Sequence, residues 1–306
     1  MNAPPSASGL DPGVSSRPLT CAITGTGGYL GSCMKARFES QGWQVMELTR
    51  QPKAGARAAA FHLGTDVRPE ALAGVAALVH CAYDFKPLRW AEIHAVNVEG
   101  TRKLLESARA AGVRKIVCIS SVSAFDGCRS LYGKAKLEIE RLGREHGALL
   151  LRPGLIYSDQ PRAMFGSLVA QVERASVLPL FGGGSQIQFL VHQEDLCAFV
   201  HRFAGGHVAT VDRPLTAAHE QGWTFREILE AIARARNKRL KFIAVPWRLL
   251  WAGLKTAELC RVPVGFRSDS LVSLMYQNPR PDFSPNVTLG LACRPFQIEK
   301  LRLQPV

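Results

Sequence analysis

The chain has 306 residues, 47% of them apolar and 21% charged, which suits a globular protein with a sizeable core and excludes a fibrous or wholly disordered one. Its formal net charge is +13, but the basic residues are dispersed. No aromatic-interleaved basic pattern of a nucleic-acid module is present, so a solvated basic surface is the first reading and a field that draws in phosphorylated small molecules the second, both ahead of nucleic acid.

Residues 1–18 are rich in Pro, Ser, Gly and Ala, have no apolar h-region, and read as a disordered tail and not a secretory signal. No run approaches the roughly 18 unbroken apolar residues of a transmembrane helix. The late apolar stretch 242–254 is broken by Pro246 and Arg248. The eight cysteines are scattered without a C-x-x-C pair, which points to free thiols in a reducing, cytoplasmic setting and to no structural metal.

The first strand is expected over 19–23. It runs into Thr24-Gly-Thr-Gly-Gly-Tyr-Leu-Gly31, after which 34–41 has helical spacing. Glycines at 25, 28 and 31 at a strand-to-helix turn fit a phosphate cradle. The first permits the sharp turn, the second lets backbone approach a pyrophosphate, and the third lets helix pack close to strand. The helix N-terminus offers unpaired N–H groups to the anion.

Strands are then expected at 43–49, 58–63, 75–82, 113–121 and 149–152, alternating with helices at 69–72, 91–111 and 132–146. Apolar strands alternating with helices predict a parallel sheet covered on both faces: a doubly wound α/β (Rossmann) fold. Beyond 160 come helical stretches at 164–174 and 194–203, a glycine-rich segment at 179–189, strands at 188–192 and 206–215, and a helix at 223–236 capped by Thr224. The expected division is a dinucleotide-binding part over 19–160, completed by about 186–215. A smaller, mostly C-terminal substrate-binding part spans 161–185 and 216–306.

A second constellation is Tyr132-Gly-Lys-Ala-Lys136, with Ser120 and Ser121 at the end of the preceding strand. Tyr132 and Lys136, four apart, share one helix face. An ammonium beside a phenol is expected to lower the tyrosine pKa, so that it can exchange a proton near neutral pH. Ser121 can hydrogen-bond a substrate oxygen at the sheet edge where ligands of open α/β sheets sit.

With these motifs the sequence resembles the short-chain dehydrogenase/reductase superfamily, in its extended, sugar-nucleotide epimerase/dehydratase form. Further matching stretches are Val79-His80-Cys81-Ala82, Asn97-Val-Glu-Gly-Thr101, Leu151-Arg-Pro153 and Val191-His192-Gln-Glu-Asp195-Leu196, so that 19–215 is covered. The resemblance implies Tyr132 as general acid/base, Lys136 on the nicotinamide ribose and Ser121 orienting the substrate. It implies that Gly25, Gly28, Tyr29, Leu30, Gly31, Cys81, Ala82 and Tyr83 lie along the dinucleotide, with Pro153 and Ile156 at the nicotinamide end. His62 and Leu63 fall at the adenine, where the family often has aspartate. Asn97 belongs to the same set, with backbone binding favoured over a proton relay.

At the end of the second strand stand Thr49 and Arg50, where a carboxylate would hold the ribose of NAD. A cation there suits a 2′-phosphate, so NADP is expected, with NAD possible. The leading expectation is an NAD(P)-dependent oxidoreductase transferring hydride at a secondary alcohol or ketone of a small molecule, with a nucleotide-sugar or similar phosphorylated substrate favoured. The alternatives are a 4-epimerase with tightly held NAD, a dinucleotide-binding regulator without turnover, and a membrane-surface enzyme using its basic C-terminal part. A homodimer is possible. His192, Glu194 and Asp195 are read as helix capping in preference to a metal site, and Trp247 and Trp251 as packing or partner contact.

Overall fold

Seven parallel strands form the main sheet of this computed structural model, which describes residues 18–298 apart from 54, 261, 263, 264 and 279. The expected tail therefore lies, but for Pro18, outside the described residues. In chain order β1 (Thr20–Thr24), α1 (Tyr29–Ser40), β2 (Gln44–Thr49) and β3 (Ala58–Ala60) build one half of the sheet. A 3-10 turn at Pro69–Leu72 leads to β4 (Ala77–His80), and β5 (Lys115–Ile119), α4 (Leu131–Glu145) and β6 (Leu149–Pro153) follow.

Between β4 and β5 runs a helix in three pieces: α2 (Trp90–Ile93), a π-helical turn His94–Val98, and α3 (Glu99–Ala110). The sequence pattern predicts one regular helix here. The π turn is a departure that turns Asn97 toward the backbone of Asp84, as described below.

The strand order is β10-β6-β5-β4-β1-β2-β3, with β10 at Leu215–Ala217. The chain moves outward from β1 in one direction, returns, and moves out from β4 in the other. The crevice above β1 and β4 is thus the switch point where such sheets bind ligands. The strand expected over 206–215 begins only at Leu215; the preceding residues form turns, although Val208 is buried in the core.

The smaller part begins with β7 (Leu155–Tyr157), α5 (Ala163–Arg174) and β8 (Val177–Phe181). It continues through β9 (Ile187–His192), β11 (Gly222–Thr224) and α7 (Phe225–Ala235), whereas α6 (Gln193–Ala204), between β9 and β11, packs its Leu196, Phe199 and Phe203 on the main sheet. It ends with β12 (Lys241–Val245), α8 (Trp247–Leu259), α9 (Ser268–Met275) and α10 (Ser284–Leu289). Here β7, β9 and β11 make a three-stranded sheet, and β8 pairs in parallel with β12. Thr224 caps α7 as expected, in a reciprocal box with Glu227.

Two apolar cores sandwich the main sheet and a third, around Phe165, Val169, Ile228 and Phe296, holds the smaller part. Among the described residues no helix is long and apolar enough to cross a membrane. His192 does serve as the N-cap of α6, its Nδ1 accepting from Glu194 N, and Asp195 receives a hydrogen bond from Arg294.

A buried polar chain joins the halves of the sheet. Thr101 Oγ1 donates to Asn97 O at 2.6 Å, which leaves it to accept from His80 Nε2 at 2.9 Å. His80 Nδ1 then carries no proton and accepts from Thr24 Oγ1 at 2.8 Å. Thr24 Oγ1 itself accepts from the backbone N–H groups of Cys81 and Ala82, each at 3.0 Å. His80 is fully enclosed, and burial, aided by the Lys136 charge, lowers its pKa to about 3. The unfolded chain takes a proton near pH 6.5 while the folded one refuses it, so stability is lost as pH falls from there toward 3. Thermal unfolding at pH 7 and pH 4.5 should show this loss, and it should be smaller in His80→Asn.

Candidate active site

A cleft of about 720 Å³ opens over the switch point. Its floor is the turn Gly25–Gly31. Gly25 has φ +74°, a left-handed conformation, and a Cβ there would press on Ala82 N. A Cβ on Gly31 would lie 2.1 Å from Gly25 O, so only glycine lets α1 start this close to the strand. Gly28 is the N-cap of α1, and no side chain occupies its first turn as a cap. The cradle therefore fits a dinucleotide pyrophosphate: backbone donors at a helix N-terminus, with no side chain in the way.

One wall carries Leu48, Thr49 and Arg50 from the end of β2, with Phe61, His62 and Leu63 after β3. Arg50 is exposed, and no hydrogen bond or ion pair to its guanidinium is found among the described residues. The opposite wall is 81–86, following β4. Tyr29 and Leu30 also face the cleft, and the Tyr29 hydroxyl donates to Gln193 Oε1 at 2.6 Å, tying α1 to α6.

Asn97 does not reach the cleft. It is buried behind the wall, where its Oδ1 accepts from Asp84 N at 2.7 Å and its Nδ2 donates to Asp84 O at 3.0 Å. The π turn presents this amide to the loop, and Gly100 permits the close packing, since a Cβ there would meet Gly64 N at 2.3 Å. Pro153 O accepts from Val122 N at 3.2 Å, so it braces the segment after β5, and Ile156 packs on the core.

Behind the wall residues Tyr83 and Phe85 stand Tyr132, Ser121 and Lys136, which do not themselves line the cleft. Tyr83 meets the Tyr132 ring edge-on at 5.0 Å, and Phe85 stacks on it at 5.6 Å. The Ser121 hydroxyl, whose Oγ accepts from Ser123 N at 3.1 Å, is near enough to the Tyr132 phenol to lower its pKa. Lys136, 4% exposed, donates to Ile119 O at 2.8 Å and stands 5.9 Å from the Tyr132 ring centre.

The electrostatics reverse one expectation. Burial pushes the Tyr132 pKa up to about 12, only partly offset by the Ser121 hydroxyl. Burial also brings the Lys136 pKa down to about 8. The ammonium is tied to a carbonyl and lies across the ring, not against the phenol oxygen, so desolvation dominates. At neutral pH Tyr132 holds its proton, and Lys136 carries most of its charge.

Residues beyond the expected set support the site. Glu140, buried one turn after Lys136, accepts from Ser120 Oγ at 2.5 Å and from Arg152 in a bidentate pair at 2.8 and 2.6 Å. That gives Arg152 of the matched Leu-Arg-Pro stretch its role: it locks α4 to the strand ends. The other support comes from α9 and the residue before it. The Asp269 carboxylate accepts from Leu131 N at 2.8 Å and Tyr132 N at 3.0 Å, capping α4 at the tyrosine itself. The Arg267 guanidinium donates to Phe85 O and to Pro87 O. No spacing or motif signals a contact across more than 130 residues; only the folded chain brings them together.

The comparisons with known proteins bear on this cleft. The family model described as "NAD dependent epimerase/dehydratase family" matches residues 21–212. The chain belongs to that family. Its members are nicotinamide-dinucleotide-dependent enzymes of the short-chain dehydrogenase/reductase superfamily, and this chain is one. A ceramide reductase of Caulobacter vibrioides is 28% identical over 235 residues, covering 74% of this chain and 73% of the relative. A dTDP-4-dehydro-6-deoxy-D-allose reductase of a Streptomyces species is 27% identical, covering 58% and 70%. The crystal structure of a UDP-glucose 4-epimerase of Thermotoga maritima with UDP-glucose shares the fold with a TM-score of 0.71 at 16% identity, covering 93% of this chain and 97% of that one.

Removing the phenol oxygen alone tests the role expected of Tyr132. Tyr132→Phe should lower turnover about 10²–10⁴-fold, the usual share of a positioned proton donor, while dinucleotide affinity, read by fluorescence titration, stays within about twofold.

Proposed function

We propose that this protein reduces a ketone to a secondary alcohol with NADPH. The observation that carries this reading is the cluster of Tyr132, which keeps its proton at neutral pH, with Ser121 near its phenol and Lys136 across its ring. A bound nicotinamide dinucleotide supplies the hydride. Ser121 and Tyr132 then hold the carbonyl oxygen between two O–H donors, which favours the negative charge that grows on that oxygen. Tyr132 gives up its proton as the alcohol forms, and the adjacent Lys136 charge stabilises the phenolate left behind. Phe85 and Tyr83 shield the phenol from water. With its pKa pushed up to about 12, Tyr132 keeps a proton to give at pH 7, but it is a weaker acid than a free phenol until Ser121, Lys136 and the bound ligands stabilise its anion.

Arg50 supports NADPH as the donor: it stands on the cleft wall at the end of β2, where no carboxylate is present to hold a ribose 2′-OH. The two relatives named above are both called reductases, which supports net reduction over an epimerase that returns its hydride. A 4-keto nucleotide-sugar is the first substrate class, in keeping with the Streptomyces relative. A ketone on a lipid is a second, supported by the Caulobacter relative and by the apolar surface described below.

Three outcomes are expected. With a dTDP-4-dehydro-6-deoxyhexose or a keto-lipid in detergent, NADPH should be consumed one for one with product; interconversion of sugar epimers without NADPH loss would mark an epimerase instead. Reduction should be steady with pH up to about 8 and then fall as Lys136 loses its proton, whereas alcohol oxidation should rise toward alkaline pH. Arg50→Ala should weaken NADPH binding about tenfold or more, the scale of a lost charged hydrogen bond, and leave NADH within about twofold. Equal losses for both dinucleotides would overturn the role of Arg50.

A further inference from the structure

We propose that helix α8 docks this protein onto an anionic lipid bilayer. Leu249 is 69% exposed, Leu259 75% and Trp251 37%, and Ala252, Gly253 and Thr256 between them are exposed too. Positions 249, 252, 253, 256 and 259 recur at helical spacing, so they form one continuous outer face. The inner face is held: Trp247 packs edge-on against Tyr276 at 5.8 Å, and α8 lies along α9.

Charge is sorted around this face. The one carboxylate of the helix, Glu258, is turned inward. It accepts from Ser268 N and Ser268 Oγ, each at 2.8 Å. Arg248 stands exposed at the margin of the outer face, and Lys255 at the margin too, its Nζ 3.7 Å from Glu258 Oε2. Across residues 231–257 the sequence has seven Lys or Arg and no Asp or Glu. Of these, Arg234, Lys238, Arg239, Lys241 and Arg248 are exposed.

Exposed leucine and tryptophan within a field of cations and no anions is the composition of a helix lying in a membrane interface, with the apolar side chains entering the acyl boundary and the cations meeting anionic headgroups. Each cation near such a surface adds about fivefold to partitioning. A second copy of this chain would bring like charges together, and so fits the patch less well.

The docking helix is coupled to the active site through one cap. Glu258 holds the start of α9, and Arg267 and Asp269 there grip the 85–87 loop and the start of α4. The proposal concerns where the enzyme works and is independent of which ketone it reduces.

The test is sedimentation of the full chain with vesicles of phosphatidylcholine alone and of phosphatidylcholine with phosphatidylglycerol. Binding is expected only to the anionic vesicles and should weaken as salt rises. Leu249→Glu/Leu259→Glu should reduce it about tenfold or more, as two leucines no longer leave water. Both sites are exposed, and unchanged NADPH titration and thermal unfolding would show that the variant is folded. Arg248→Glu should reduce binding and its salt dependence together. No binding to anionic vesicles at low salt, or equal binding by the leucine variant, would overturn the proposal. So would a concentration-dependent dimer abolished by that variant without vesicle binding, or binding to polyglutamate in place of vesicles, which would assign the face to a second copy or to an acidic protein.

Discussion

The hydrogen-bond chain Thr24–His80–Thr101 is the constraint on which the cleft depends. Thr24 is the last residue of β1, and its hydroxyl oxygen satisfies two backbone donors just beyond β4, at Cys81 and Ala82. Without that acceptor these half-buried N–H groups would lose their partner, which is costly. The chain therefore leaves β4 in a fixed direction and becomes a cleft wall. His80 can serve only when neutral, and its burial ensures that it is. At the far end Thr101 turns back to Asn97 O, and the Asn97 side chain fixes Asp84 in the same wall. One polar chain thus sets both the glycine cradle and the loop facing it.

The same economy governs the tyrosine. Its helix begins under two caps: the Ser130 hydroxyl accepts from Gly133 N, and the Asp269 carboxylate from Leu131 N and Tyr132 N. A carboxylate at a helix N-terminus is favoured by the helix dipole. The buried Glu140–Arg152 pair then locks the middle of α4 to the strands. Rigid placement on both sides is what proton transfer needs, because a donor displaced by even 1 Å loses much of its effect. Phe85 and Tyr83 complete the enclosure and raise the phenol pKa. The residues proposed to carry the chemistry are held by groups that never touch it.

Much of this was legible in the amino-acid order. The strand–helix alternation, the glycine turn, the Tyr132–Lys136 spacing and the cap at Thr224 follow from local rules, where sequence neighbours decide the outcome. The glycines report directly on close backbone contacts, as at Gly31. Other features were not legible. The π turn at Asn97 depends on the loop it must reach. The start of β10 at Leu215, after the segment expected to form the strand, depends on its pairing with β6 and not on local apolarity.

The sequence by itself determined the fold class, the family and the residue types at the cleft, because periodicity and turn chemistry are properties of short stretches. Tertiary structure decided the energetics. It alone placed the Lys136 ammonium on a carbonyl and across the tyrosine ring, so that desolvation outweighs attraction and the Tyr132 pKa rises where its neighbour predicted a fall. It alone joined Arg267 and Asp269 to the site, and it turned Glu258 inward so that the outer face of α8 is left apolar and bordered by cations. Burial and long-range contact are properties of the whole packed chain, and no window of sequence contains them.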